Sequence, residues 1–201
     1  QYGFSYRRIS ENIFGISVNY GVGEVRSSET SGFTNTFLDL GVGVEYLFQI
    51  KNNNESLNYY LGGAYETNAF FIEWNNLDAF SYTSTQGLEF KGLVTKKINE
   101  WHSIQTSFAL PIVQILGRPP YNGINEFIIE NQDYPVKIML QGEPASFGQY
   151  SGLVWDMAYT YQISPRLRCN LAYSIFLQKI NNFHAYKRLA ITPETGITLK
   201  L

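Results

Sequence analysis

The chain has 201 residues, with 15 Lys and Arg against 17 Asp and Glu and a pI near 5.7; this suits one domain over residues 1–201 and supplies no basic patch to hold nucleic acid by counterion release. Only 16% of residues are charged while 16% are aromatic, and because water-soluble domains carry roughly a quarter charged residues, something other than water is expected to cover the surface. No run approaches the about 18–20 apolar residues of a membrane-spanning helix, and a mean hydropathy of -0.17 fits a barrel whose strands turn only alternate residues to lipid.

Successive side chains of a strand point to opposite faces, so the test along the chain is a period of two. Residues 1–12 read as a periplasmic N-terminal lead or, if a further strand is hidden in a loop region, as part of a ten-stranded barrel. Then Phe14, Ile16, Val18, Tyr20 and Val22 alternate with Gly15, Ser17, Asn19, Gly21 and Gly23. Leu38, Leu40, Val42, Val44, Tyr46, Phe48 and Ile50 alternate with Asp39, Gly41, Gly43, Glu45 and Gln49, and Leu47 alone breaks the rule. Leu57, Tyr59, Leu61, Tyr65 and Phe71 oppose Asn58, Tyr60, Gly62, Ala64, Glu66 and Asn68. In the next run Leu88, Phe90 and Val94 oppose Glu89, Lys91 and Thr95, with Leu93 and Lys96 on unexpected sides; Lys96 lies near a turn, where its ammonium snorkels to the interface. Ile104, Thr106, Phe108, Leu110 and Ile112 oppose Ser103, Gln105, Ser107 and Ala109, up to Pro111, which has no N–H to give to a ladder. Three regular runs end the chain. Leu153, Trp155, Met157, Tyr159 and Tyr161 face away from Val154, Asp156, Ala158 and Thr160. Leu167, Cys169, Leu171, Tyr173, Ile175 and Leu177 face away from Arg168, Asn170, Ala172, Ser174 and Gln178, and Leu189, Ile191, Ile197 and Leu199 from Ala190, Thr192, Glu194, Thr198 and Lys200.

Short polar turns at 51–54, 99–100 and 164–166 interleave with longer connections at 26–32, 75–85, 119–135 and 181–187. Outer-membrane barrels have short periplasmic turns and longer extracellular loops. The fold expected is therefore an all-β antiparallel transmembrane β-barrel of eight strands, with ten as the alternative and both termini periplasmic. A soluble barrel or sandwich would share the alternation but would turn Gly, Ala, Ser, Thr and Asn to water with few charges, a poor solubilising surface. Inside a narrow barrel the same small residues relieve crowding. Tyr46, Tyr59, Trp74, Trp101, Tyr161 and Tyr173, near the ends of runs, match interfacial aromatic girdles.

From Phe14 to Leu201 the pattern resembles the small outer-membrane β-barrels of Gram-negative bacteria. The tyrosine-rich strands, with Leu110-Pro111-Ile112 to Arg118-Pro119-Pro120-Tyr121, resemble uncharacterised barrels of the Bacteroidota. The chain departs from the common pattern in ending on Leu201 instead of an aromatic residue. The resemblance implies an outer-membrane location in contact with lipid and lipopolysaccharide. The inward face carries Asp39, Glu45, Glu66, Glu89, Lys91, Asp156, Arg168, Glu194 and Lys200. Side chains nearly fill the interior of an eight-stranded barrel, and unpaired buried charges are costly, so these residues are expected to pair as a polar plug and not to line a channel.

Two histidines and one cysteine, Cys169, offer neither a metal-ligand set nor a disulfide, and no cofactor or catalytic residue is identified. Barrels similar to this one include lipid A palmitoyltransferases and deacylases, and that resemblance would place a base at His184; no Ser or acidic partner is identifiable, so an exposed loop histidine is favoured. The segment 119–135 carries the rigid Pro119, Pro120 and Tyr121 after Arg118, and the apolar Phe127, Ile128 and Ile129. It reads either as a contact surface for another outer-membrane protein or as a lid burying those residues over the barrel mouth. The favoured function is a non-enzymatic structural or accessory subunit of a larger outer-membrane complex. A small pore or ligand-binding barrel is the alternative, preferred if the strands number ten or more, and a lipid-modifying enzyme is the third.

Overall fold

A run with one apolar and one small or polar face favours an extended backbone that can bury or solvate each face separately, and a computed structural model of the chain realises the runs as one antiparallel sheet. The structure describes residues 2–26, 34–53, 56–74, 79–117, 126–131, 133–181 and 185–199. In chain order the elements are β1 (Tyr2–Ile9), β2 (Ile13–Arg26), β3 (Thr34–Ile50), β4 (Leu57–Trp74), β5 (Ala79–Lys97), β6 (His102–Gly117), α1 (Glu126–Glu130), α2 (Pro135–Leu140), β7 (Glu143–Ala145), β8 (Tyr150–Gln162), β9 (Leu167–Ile180) and β10 (Tyr186–Leu199). The ten-stranded sheet runs β1-β2-β3-β4-β5-β6-β8-β9-β10, with β7 beside β6. Among the described residues no ladder joins β1 to β10. The sheet nonetheless curls into a half-barrel: Arg188 of β10 bonds to Asp39 of β3 at 2.8 Å, although β4, β5, β6, β8 and β9 lie between them. The face opposite that pair is convex and greasy, with Val42, Val44, Leu88, Trp155, Leu171 and Ile191 all exposed.

Among the described residues the strands number ten, the alternative, and not eight, and Tyr2–Ile9 is a strand and not a lead. Tyr2 to Ile9 pair with Tyr20 to Ile13. The period of two is there as well, since Tyr2 and Phe4, 80% and 71% exposed, share a face with the convex Tyr20 and Val18. What hid the strand is its brevity and the Arg7-Arg8 pair, of which Arg7 turns inward to an acid. β1 begins opposite Tyr20, part-way up β2, so Tyr2 does not sit at the short-turn end where both ends of the chain were expected; Leu199 of β10 does, opposite Leu167.

Side chains build the tight ends. Asn99 Oδ1 accepts the N–H groups of Trp101 and His102 at 2.9 Å each, and Ser164 Oγ accepts that of Leu167 at 3.2 Å, both locally bonded turns of the kind these residues favour. Pro111 has no N–H to donate, and the β5–β6 register slips there: Leu88 faces Val113 while Glu89 faces Pro111. The bulge inverts the alternation, so Ile112 and Val113 are both exposed while Gln114 and Leu116 are buried.

The described part of the segment after β6, residues 126–131 and 133–140, is neither a lid over the mouth nor, at Phe127, a free apolar surface. Its helices return along the convex wall, where Phe127 and Ile138 pack with Leu40, Ala69, Phe71 and Tyr82. The Tyr82 hydroxyl donates to the Ile138 carbonyl at 2.6 Å, and Gln86 Nε2 to that of Leu140 at 2.8 Å. Arg118, Pro119, Pro120 and Tyr121 lie outside the described residues, as do the side chains of Ile128 and Ile129.

Candidate functional site on the concave face

At the short-turn end the concave side of β2 to β5 is dry. Ile13, Leu47, Tyr60 and Leu93 form a buried cluster in which Leu47 has no exposure. Leu47 and Leu93, the two apolar residues that broke the alternation, are both members. Gly62 makes the packing possible, because a Cβ there would come 2.1 Å from the Tyr46 carbonyl oxygen.

Above this cluster lies an ion network. Glu45 is held at 2.8 Å by Arg7 Nη2 and at 2.8 Å by Lys91 Nζ, and Lys91 also reaches Glu66 at 3.9 Å. Gly15 gives the carboxylate its room, since a Cβ there would lie 2.7 Å from it. Glu89, only 8% exposed, keeps one carboxylate oxygen without a hydrogen-bond partner, and Gln114, 5% exposed, keeps its amide nitrogen without one. Higher still, Arg188 pairs with Asp39 at 2.8 Å while its guanidinium lies 4.1 Å from the Phe70 ring centre and 5.3 Å from that of Phe176, a stacking that favours a cation. Leu116, Tyr150 and Ile180 pack together at the same end.

The remaining inward charges do not join this network. Asp156 on β8 accepts from Ser107 Oγ at 3.0 Å and from Ser174 Oγ at 2.7 Å, and among the described residues no cation pairs with it. Below it, Thr160 donates to Asn170 at 3.0 Å and Asn170 to Thr198 at 2.6 Å. Glu194 stands opposite Ala172, and Arg168 lies between Gln162 and Thr198 near the short turns. Lys200 is outside the described residues. The single plug expected from sequence is therefore divided: Glu45, Glu66, Glu89 and Lys91 are brought together above the dry cluster, Asp39 pairs apart from them with Arg188, and Asp156, Arg168 and Glu194 are spread along a wall of half-buried Ala158, Thr160, Ala172, Ser174 and Thr192.

Sequence reasoning missed Arg7, Arg188, Gln114 and Tyr150, and it set Gln178 on the inward face without giving it a role. Arg7 and Arg188 fall on the inward parity of strands set too short, and Gln114 was hidden by the bulge. The Tyr150 hydroxyl accepts from Gln178 at 3.5 Å. His102 hydrogen-bonds the Tyr159 hydroxyl at the short-turn end, and His184 is outside the described residues. Among the described residues no group of His, Cys, Asp and Glu is placed to hold a metal, and no helix is long and apolar enough to cross a membrane.

A solved structure of the NanC porin is similar to this chain, at 11% identity and a TM-score of 0.35 over 99% of this chain and 98% of that one. No protein-family model matches the chain, and no curated protein does.

Proposed function

We propose that the chain is an outer-membrane β-barrel that passes small polar solutes along the β8–β10 side of its interior, narrowing towards the end where Arg188 meets Asp39. Membrane embedding is supported by the exposed apolar convex face, which in water would be an aggregation surface and in a bilayer is the lipid contact. The pore reading rests on one observation: from Asp156 towards the short turns the concave positions of β8 to β10 carry small or polar residues, none of them fully buried, where β2 to β5 at that end carry the packed Ile13, Leu47, Tyr60 and Leu93. A barrel widens with its strand number, and the described wall has nine strands in its path, with β7 beside β6, against the eight for which a plug was expected. In this reading the short turns and the end of β10 are periplasmic and the α1–α2 segment is extracellular. The accessory-subunit alternative loses part of its ground, because Phe127 of the apolar connection is spent on the chain's own wall. Reconstitution of the folded protein in planar bilayers tests the proposal. Stable unitary openings are expected, and silent bilayers containing verified folded protein would overturn it.

A further inference from the structure

Resting on that pore reading, we infer that the passage selects cations over anions and that Asp156 is the residue chiefly responsible, with Glu194 and Glu89 adding to its field. The inference comes from which charges are already spent. Of the inward bases, Arg7 is bound to Glu45, Lys91 to Glu45 and Glu66, and Arg188 to Asp39. Each of these positive charges is neutralised at short range, so little of its field reaches a passing ion. The acids left over are Asp156, Glu194 and Glu89. Asp156 is bonded only by the hydroxyls of Ser107 and Ser174, which fix the carboxylate in place without cancelling its charge. Glu194 on β10 is two residues along from Thr192, which faces the Ser174 that bonds Asp156, so both carboxylates bear on one stretch of the interior. Glu89 is an independent sign of the same excess: a carboxylate more than nine-tenths buried, turned to the concave side, with an oxygen that nothing in the described structure bonds.

Two inward bases have no ion pair among the described residues, and both stand down the wall from Asp156: Arg168, and Lys97, which is four residues along β5 from the Leu93 that faces Ser107, about 13 Å at the rise of a strand. Ser174, the partner of Asp156, and Arg168 are separated along β9 by six residues, about 20 Å at the rise of a strand. That is roughly twice the Debye length of about 10 Å at 0.1 M salt. Between the two levels the inward residues of β9 are Asn170 and Ala172, which carry no charge. A cation at the Asp156 level therefore meets uncompensated negative charge on at least two strands, and an anion meets repulsion, the arrangement by which carboxylate-lined pores discriminate.

The reversal potential of single openings in a KCl gradient tests this. The unsubstituted protein is expected to favour potassium over chloride severalfold. Asp156→Asn, which keeps the shape and one acceptor for the serines, should move the potential towards zero, and Asp156→Lys should reverse its sign, while Glu100→Gln in an exposed turn leaves it unchanged. If Asp156→Lys does not fold, Asp156→Asn alone decides. Openings that show no preference, that prefer chloride, or that are indifferent to Asp156→Asn would overturn the inference and leave the pore reading standing. An absence of openings in every variant would remove both.

Discussion

On the concave side of β1 to β5, Leu47, Tyr60 and Leu93 close the short-turn end and Arg7, Glu45, Lys91 and Glu66 interlock above them. On β8 to β10 the stretch towards the short turns is held by Ala158, Thr160, Asn170, Ala172 and Thr192, with single hydrogen bonds of neutral groups from Thr160 to Asn170 and on to Thr198. Both halves must satisfy buried polar backbone and side chains, and both do so with the same alternation. They differ in what stands on the inward positions. In the first half charge is neutralised by charge, which demands room that Gly15 and Gly62 provide and which fixes each side chain by its neighbours. In the second, charge is held by hydroxyls and stays available. One half is thus a support and the other a surface on which something can move.

The largest effect should follow from breaking the support at Lys91. Lys91→Met removes one of the two cations on Glu45 and the only one on Glu66 that the described residues supply, leaving buried carboxylates beside the unpaired Glu89. Breaking a buried ion pair from one side costs about 3–5 kcal/mol, so unfolding by urea in detergent micelles should show a loss of at least about 3 kcal/mol. A loss below about 1 kcal/mol, the worth of an exposed pair, would mean that water fills this half and that the contrast between the halves is false.

The contrast itself was only half legible in the sequence. Which side chains face lipid, among them Leu40, Trp155 and Leu171, follows from a period of two that any reader can count. The dry cluster was visible only as two exceptions, Leu47 and Leu93, because the pattern of one strand does not reveal that β4 brings them to the same level. The Arg188–Asp39 pair joins residues 149 positions apart, a separation that only the curl of the sheet closes. β1 was legible in Tyr2, Phe4 and Tyr6 but is short enough to be taken for a lead. α1 and α2, of five and six residues, are too short to show a helical period, and their place on the convex wall depends on Tyr82 and Gln86, two polar groups on a face that otherwise reads as greasy.

That wall gives a smaller test. α2 packs behind β4 and β5, so the filled half has a second layer that the described residues do not provide behind β8 to β10. Tyr82→Phe deletes one buried hydrogen bond to Ile138 and should cost about 1 kcal/mol, with faster proteolysis between residues 126 and 140 as the local readout. Unchanged cleavage would mean that the apolar contacts of Phe127 and Ile138 hold the segment without the hydroxyl.

The smallest effect on stability, and the one that bears most directly on the comparison, is expected at Ala172. Its side chain points to the concave side opposite Glu194 and Ala158, in the stretch where no large residue competes for space. Ala172→Leu should therefore change the unfolding free energy by less than about 1 kcal/mol, whereas a well-packed interior charges about 1–3 kcal/mol for added methylenes. The same substitution narrows the passage, so unitary conductance should fall while the reversal potential, set by Asp156, stays where it was. A stability loss in the overpacking range with unaltered conductance would show that β8 to β10 enclose a core like that of β1 to β5, and the division into a support and a conducting surface would have to be abandoned.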